Sequence, residues 1–186
     1  MSEKKSLRPN IVTALKLMII STAVVLLVVC VNYVTKDRVA ANMQKKTDTA
    51  RAELLPDGDI GPLSFQLTEQ EKAYVTEIYS VKIDGYITGY CIAVRSMGFG
   101  GEMSLLVGIT SGSKIAGVKV ISHTETPSIG APALAEDTLL DRYNNIFTTS
   151  VPSVDSVSGA TYTSEAVNDA VRVAATLAER IISENG

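Results

Sequence analysis

An α+β fold, with helices packed on a twisted antiparallel sheet behind one N-terminal membrane helix, is what this sequence predicts. Three observations carry it: a 20-residue apolar run near the start, four β-rich segments separated by turn signals in the middle, and a long helical periodicity at the end. The chain has 186 residues, 46% of them hydrophobic and 20% charged, enough for one ordinary domain with an appendage.

The apolar run is LKLMIISTAVVLLVVCVNYV, Leu15 to Val34, in which everything between Lys16 and Asn32 is apolar or small. A helix needs about 20 such residues to cross a bilayer core. A cleaved signal peptide has a shorter apolar centre of roughly 7 to 15 residues followed by a small-x-small site. This run is longer, and no such site follows it, so the segment reads as a membrane anchor. Basic residues nearly balance across it, with Lys4, Lys5, Arg8 and Lys16 on one side and Lys36, Arg38, Lys45 and Lys46 on the other. Asp37 and Asp48 dilute the far flank, and the residues after position 16 hold 13 basic against 19 acidic side chains. The expected orientation is N-terminus in the cytoplasm and body outside the cell membrane. The acidic body also argues against a nucleic-acid partner.

After the span, helix formers continue to about Leu55, where PDGDIGP stops them with two prolines and two glycines. A linker is expected from there to about Glu71. Next come YVTEIYSVKI and YITGYCIAVRS, rich in Val, Ile, Tyr and Thr and separated by Asp84-Gly85, the dipeptide of a type I′ hairpin turn. MSLLVGIT and KIAGVKVIS follow around Ser111-Gly112-Ser113, so the four strands read as a meander. The glycine-rich SMGFGGE, Ser96 to Glu102, links the second to the third. Ala133 to Phe147 reads as a helix. The tail places Val167, Ala170, Val171, Ala174, Leu177, Ala178, Ile181 and Ile182 on one helical stripe, with Thr163 as its N-cap.

Little of this is chemistry for hydrolysis or acid/base work. His123 is the lone histidine and reads as a strand-end residue. Cys30 lies in the span and Cys91 in a strand, a pattern that supports neither a disulfide nor a metal site. No phosphate-binding glycine motif of the P-loop or GxGxxG kind is present. Two segments remain that scaffold alone does not explain. One is SHTETPSIG, Ser122 to Gly130. The other is DSVSGATYTS, Asp155 to Ser164, which crowds hydroxyls and a glycine before the last helix. Such hydroxyls can cap a helix, and a hydroxyl at a helix N-terminus can equally receive a phosphate.

Behind a single anchor, the order GFGG, HTETPSIG and DSVSGAT resembles the G subunit of the Rnf electron-transport complex and its relative, the C subunit of the sodium-pumping NADH:quinone reductase. In that family Asp-x-x-Ser/Thr-Gly-Ala-Thr is a flavinylation signal, and its final Thr carries FMN through a phosphoester installed from FAD by a flavin transferase. Asp155, Ser158, Gly159, Ala160 and Thr161 fill the pattern, so the resemblance implies attachment at Thr161. Glu125, Thr126, Pro127 and Gly130 match the second segment, where the family usually has Gly-Leu in place of Ser128 and Ile129, and are implied FMN contacts.

The resemblance implies a chain organised as a cytoplasmic N-terminus (1–14), a transmembrane helix (15–34), a membrane-proximal helix and linker (35–71) and an FMN-binding domain (72–186). It implies an electron-relaying subunit of an ion-translocating ferredoxin/NAD complex, with no catalytic residue, no metal and no substrate turnover of its own. Its partners would be the other subunits, the flavin transferase and the bilayer. An anchored FMN-binding sensory or scaffold module is the alternative.

Overall fold

The computed structural model describes residues 4–135 and 138–185 and divides into two compact units, 1–45 and 46–186. Helix α1 spans Lys4–Leu54. Its residues from Leu15 to Val34 are exposed throughout, and it is the one helix among the described residues long and apolar enough to cross a membrane. The chain therefore carries a single-pass membrane anchor.

In the second unit, five antiparallel strands follow one another in space as in sequence: β1 (Asp59–Pro62), β2 (Val75–Ile83), β3 (Tyr86–Met97), β4 (Glu102–Thr110) and β5 (Ile115–His123). The meander read from the sequence is thus present, with β1 added at one edge. The β2–β3 turn uses positive φ at both Asp84 (51°) and Gly85 (84°), the geometry of the type I′ hairpin. Alternate residues face opposite sides of a strand. Tyr90, Ile92 and Val94 of β3 and Leu105, Val107 and Ile109 of β4 accordingly enter the main core, whereas Cys91 and Leu106 face a smaller one behind the sheet.

Helix α3 (Thr161–Asn185) fills the main core with the expected stripe, from Val167 to Ile181. The last turns of α1 cover the other face. There Leu54 sits on Gly108 and Gly117 and Leu55 on Gly89, where an added Cβ would approach each leucine to 2.9 Å. Arg51, only 4% exposed, binds Glu77 Oε2 at 3.2 Å and stacks 3.7 Å over the Tyr79 ring.

Three expectations need correction. The segment read as a linker contains β1 and a one-and-a-half-turn helix α2 (Glu69–Tyr74), which Thr68 and Glu71 start with a reciprocal capping box. The expected helix Ala133 to Phe147 is replaced by 3₁₀ turns at Ala131–Leu134 and Leu140–Tyr143, with residues 136 and 137 outside the described set. Ala133, Leu139, Leu140 and Tyr143 would share one side of a helical wheel, which is the stripe the sequence shows, but Leu134 is buried too and lies off it, and the chain leaves the helical region at Ala135 (φ −68°, ψ 149°). Thr163 is no N-cap: α3 begins at Thr161, and the Thr163 side chain is buried elsewhere.

The sheet edges are short or engaged. β1 has four residues and ends at Pro62, which lacks an N–H. β5 begins with Ile115 exchanging backbone bonds with Ile146 and Asn145 (2.9 and 2.8 Å). Further along β5, Ile121 lies in a bulge where Ser104 pairs Ser122 and Leu105 pairs Val120, and its carbonyl accepts from Lys46 Nζ at 2.7 Å.

Candidate functional site

Two loops and a helix start meet at one end of the sheet. The first loop, Gly98 to Gly101, closes the β3–β4 hairpin with Gly98 N–H donating to the Gly101 carbonyl at 2.9 Å. The second follows β5. Its Thr126 carbonyl accepts from the amides of Ile129, Gly130 and Ala131 at 3.1, 3.1 and 3.2 Å, so the chain turns tightly around one oxygen just after Pro127 is inserted. Glu125 joins the two loops. Its side chain is buried, Oε2 accepts from Gly100 N–H at 3.0 Å, and Oε1 has no hydrogen-bond partner among the described residues.

Glycine is required on both sides of that carboxylate. A Cβ at Gly98 would lie 1.8 Å from Glu125 Oε1, and one at Gly130 would lie 1.7 Å from Oε2 and 2.7 Å from Thr163 Oγ1. Thr163 Oγ1 in turn accepts from Phe99 N–H at 3.4 Å. The glycine-rich loop, the Glu125 loop and the first turn of α3 are therefore one packed unit, which contains Glu125, Thr126 and Gly130. Pro127 is exposed on its outer side. His123, at the end of β5 and exposed, accepts from Glu125 N–H at Nδ1 (3.2 Å) and serves this loop.

The chain enters α3 through a β-turn over Val157, Ser158, Gly159 and Ala160, closed by Ala160 N–H donating to the Val157 carbonyl at 3.0 Å. Gly159 has φ +83°, and Ser158 has no positive φ, which is the type II pattern that calls for glycine at the third position. Ser158 and Thr161 are exposed and Ala160 is buried. Asp155 lies before the turn with an exposed side chain, and its backbone carbonyl accepts from Arg142 Nη1 at 2.5 Å. Asn168 braces the same segment by donating to the Val154 carbonyl at 3.3 Å and accepting from the Tyr143 hydroxyl. Burial pushes the Tyr143 phenol well up, so it remains a donor.

The first turn of α3 has an unusual electrostatic state. A helix start leaves its first amides without helical acceptors, and a capping hydroxyl or carboxylate usually takes one. Here Ala160 precedes the helix and offers no side-chain oxygen, and among the described residues no side chain accepts from the amides of Thr161, Tyr162 or Thr163. Both neighbouring hydroxyls are engaged elsewhere, Thr163 with Phe99 and Ser164 with the entering turn. Partial positive charge is left beside the exposed Thr161 hydroxyl, the setting a phosphate prefers.

The two loops and the first turn of α3 carry exposed apolar side chains, Phe99, Ile129 and Tyr162, and the end of β3 carries Met97. Met97 and Tyr162 line a groove of about 520 Å³ with Arg95 and the carboxylates Glu102, Glu165 and Asp169. Its apolar side chains suit a flat aromatic ring, whereas three carboxylates against one guanidinium do not suit a phosphate, which the helix start serves better. Among the described residues no group of His, Cys, Asp and Glu side chains could hold a metal ion. The sequence reading singles out neither Met97, Tyr162 nor Ser164, and the glycine spacing of GFGG is the available signal for the Glu125 contact.

Residues 98–176 match the FMN-binding domain family, an interval that opens on Gly98 and includes both loops and the start of α3. The G subunit of the ion-translocating oxidoreductase complex of Methanosarcina acetivorans is 30% identical over 182 residues, covering 94% of this chain and 95% of that protein. The G subunit of the proton-translocating ferredoxin:NAD(+) oxidoreductase complex of Clostridium ljungdahlii is 27% identical over 158 residues, 80% of each chain. The Na(+)-translocating counterpart of Acetobacterium woodii is 27% identical over 127 residues, 63% of this chain and 61% of that one. Fold and site together define a membrane-anchored protein of the FMN-binding-domain class. Within that class, the chain belongs to the family of G subunits of the ion-translocating oxidoreductase complexes.

Proposed function

We propose that this chain relays electrons through FMN joined covalently to Thr161, as one subunit of an ion-translocating ferredoxin/NAD oxidoreductase complex. The observation that carries the reading is the first turn of α3: an exposed threonine hydroxyl beside three amides that no side chain among the described residues caps. A phosphate there gains roughly 0.3 to 1 kcal/mol from the helix end, more where it is partly buried. The bound flavin supplies reversible electron transfer, chemistry that no side chain here could provide. Ser158, Gly159 and Ala160 shape the attachment turn. Glu125, Thr126, Pro127 and Gly130 hold the neighbouring loop, and residues 72–186 act as the FMN domain.

Attachment is a group transfer. The pyrophosphate of FAD breaks, its flavin-side phosphorus bonds to Thr161 Oγ1, AMP leaves and the hydroxyl proton passes to the transferase. Asp155, exposed six residues upstream, belongs to the surface the transferase reads. The N-terminus lies in the cytoplasm and the FMN domain on the other side of the membrane, where a covalent bond keeps the flavin from being lost.

In-gel flavin fluorescence after denaturation in detergent tests the reading. The wild-type band is expected to fluoresce and the Thr161→Val band to be dark. A fluorescent Thr161→Val band refutes the assignment.

A further inference from the structure

We infer that Ser164, which lies outside the Asp155–Thr161 pattern, is a positioning residue for flavin attachment: its hydroxyl clasps the turn that presents Thr161. The inference rests on the reading of Thr161 as the acceptor. Ser164 is fully buried in α3, at its fourth residue. Its Oγ donates to the Ala160 carbonyl at 2.9 Å and accepts from Val157 N–H at 3.0 Å. Its own N–H donates to the same Ala160 carbonyl at 2.9 Å. With the Ala160–Val157 bond, the turn is thereby closed on itself and tied to the helix at both its first and last residue.

Neither packing nor helix propensity calls for serine here. Alanine is the better helix former and fills a small buried site without a polar atom, whereas a serine bonding back to the i−4 carbonyl weakens a helix slightly. What serine adds is the bond to Val157, which alanine cannot make. Nor does the hydroxyl cap its own helix. It turns toward the preceding chain and leaves the amides of Thr161, Tyr162 and Thr163 without a side-chain acceptor among the described residues. One side chain therefore supplies what phosphoryl transfer needs of the scaffold: it fixes where the nucleophilic oxygen stands, beside amides that Ala160, with no side-chain oxygen, leaves uncapped.

The test uses the full-length apo chain in detergent with flavin transferase and saturating FAD, following fluorescent labelling with time well below the melting temperature. Ser164→Ala is expected to load about tenfold or more slowly, because misplacing a reacting atom by an ångström can cost two orders of magnitude. Ser164→Thr keeps the hydroxyl and is expected to load faster than Ser164→Ala. Hydrogen exchange at the Val157 amide should accelerate in Ser164→Ala and not in Ser164→Thr. Wild-type loading by Ser164→Ala overturns the inference, as does a Thr variant slower than the Ala variant. If the alanine chain does not fold, Ser164→Cys, similar in size with a poorly bonding sulfur, replaces it under the same two outcomes. A wild-type chain labelled elsewhere than Thr161 overturns the acceptor reading and this inference with it. Labelling at Thr161 with equal rates overturns this inference alone.

Discussion

Substituting Gly98 by alanine should destabilise the protein through one identifiable atom. The new Cβ would lie 1.8 Å from Glu125 Oε1 and 3.0 Å from both Glu125 Cδ and Met103 Cε. A carbon and an oxygen not bonded to each other need about 3.2 Å, so the carboxylate must retreat by more than an ångström. That movement breaks its 3.0 Å bond to Gly100 N–H. Overpacking of this kind costs about 1–3 kcal/mol, and a lost hydrogen bond to a charged group about 1.5–3 kcal/mol. Taking about 3 kcal/mol together, the melting temperature should fall by roughly 10 °C. Strain at the backbone is not the reason, since Gly98 is absent from the positive-φ residues. In a Glu125→Ala background the 1.8 Å contact is gone and the Met103 methyl at 3.0 Å is the mobile end of a flexible side chain, so the same change should cost less than half as much. With no tryptophan in the chain, near-ultraviolet circular dichroism of the tyrosines follows unfolding in detergent. Equal costs in the two backgrounds would refute the account of the Glu125 contact.

Asp155→Asn should fold and melt like wild type yet load flavin several-fold more slowly, because the exposed carboxylate has no partner among the described residues to lose; unchanged loading kinetics would remove its role. Burial pushes the Cys91 thiol up from 9.0 to about 11, against a smaller lowering by Arg51. The folded state thus keeps a proton that the unfolded chain releases between those values, and stability should fall by about 1 kcal/mol per pH unit from pH 9 to 11. Urea titrations across that range should show a shallower decline in Cys91→Ala, and parallel curves would contradict the burial argument.

How legible the fold is depends on whether a segment's signal is local. The four long strands and α3 announce themselves by alternation and by a helical stripe, because each buries a whole face against one neighbour. The Asp84-Gly85 turn is equally plain, since few dipeptides accept positive φ twice. β1 is hidden because Gly58 precedes it and Gly61 and Pro62 make up half of it, and its strand state comes from pairing with β2 rather than from its own residues. α2 has its signal in Thr68 and Glu71, but six residues are too few for periodicity to draw the eye to it. At Ala133–Phe147, Ala133, Leu139, Leu140 and Tyr143 form a helical stripe in the sequence, and nothing local announces the extended backbone at Ala135 that breaks the helix. At the site, the motif locates Thr161, Asp155 and the Glu125 loop. It cannot show that Glu125 is buried between Gly98 and Gly130, or that Thr163 reaches Phe99, since these contacts join residues far apart in sequence.

The manner in which the sheet stops also bears on how such a subunit can meet its neighbours. An open strand edge is a template: any passing chain with free backbone groups can add itself, whatever its side chains. Here one border is four residues long and ends in proline, and the other is occupied near its start by Asn145 and Ile146 and interrupted by the bulge whose carbonyl Lys46 takes. Recruitment by backbone zippering is thereby discouraged at both borders. Recognition by other subunits falls instead to side-chain surfaces, which discriminate between partners, and a small domain crowded among many chains in a membrane assembly keeps its identity without gluing itself to the wrong one.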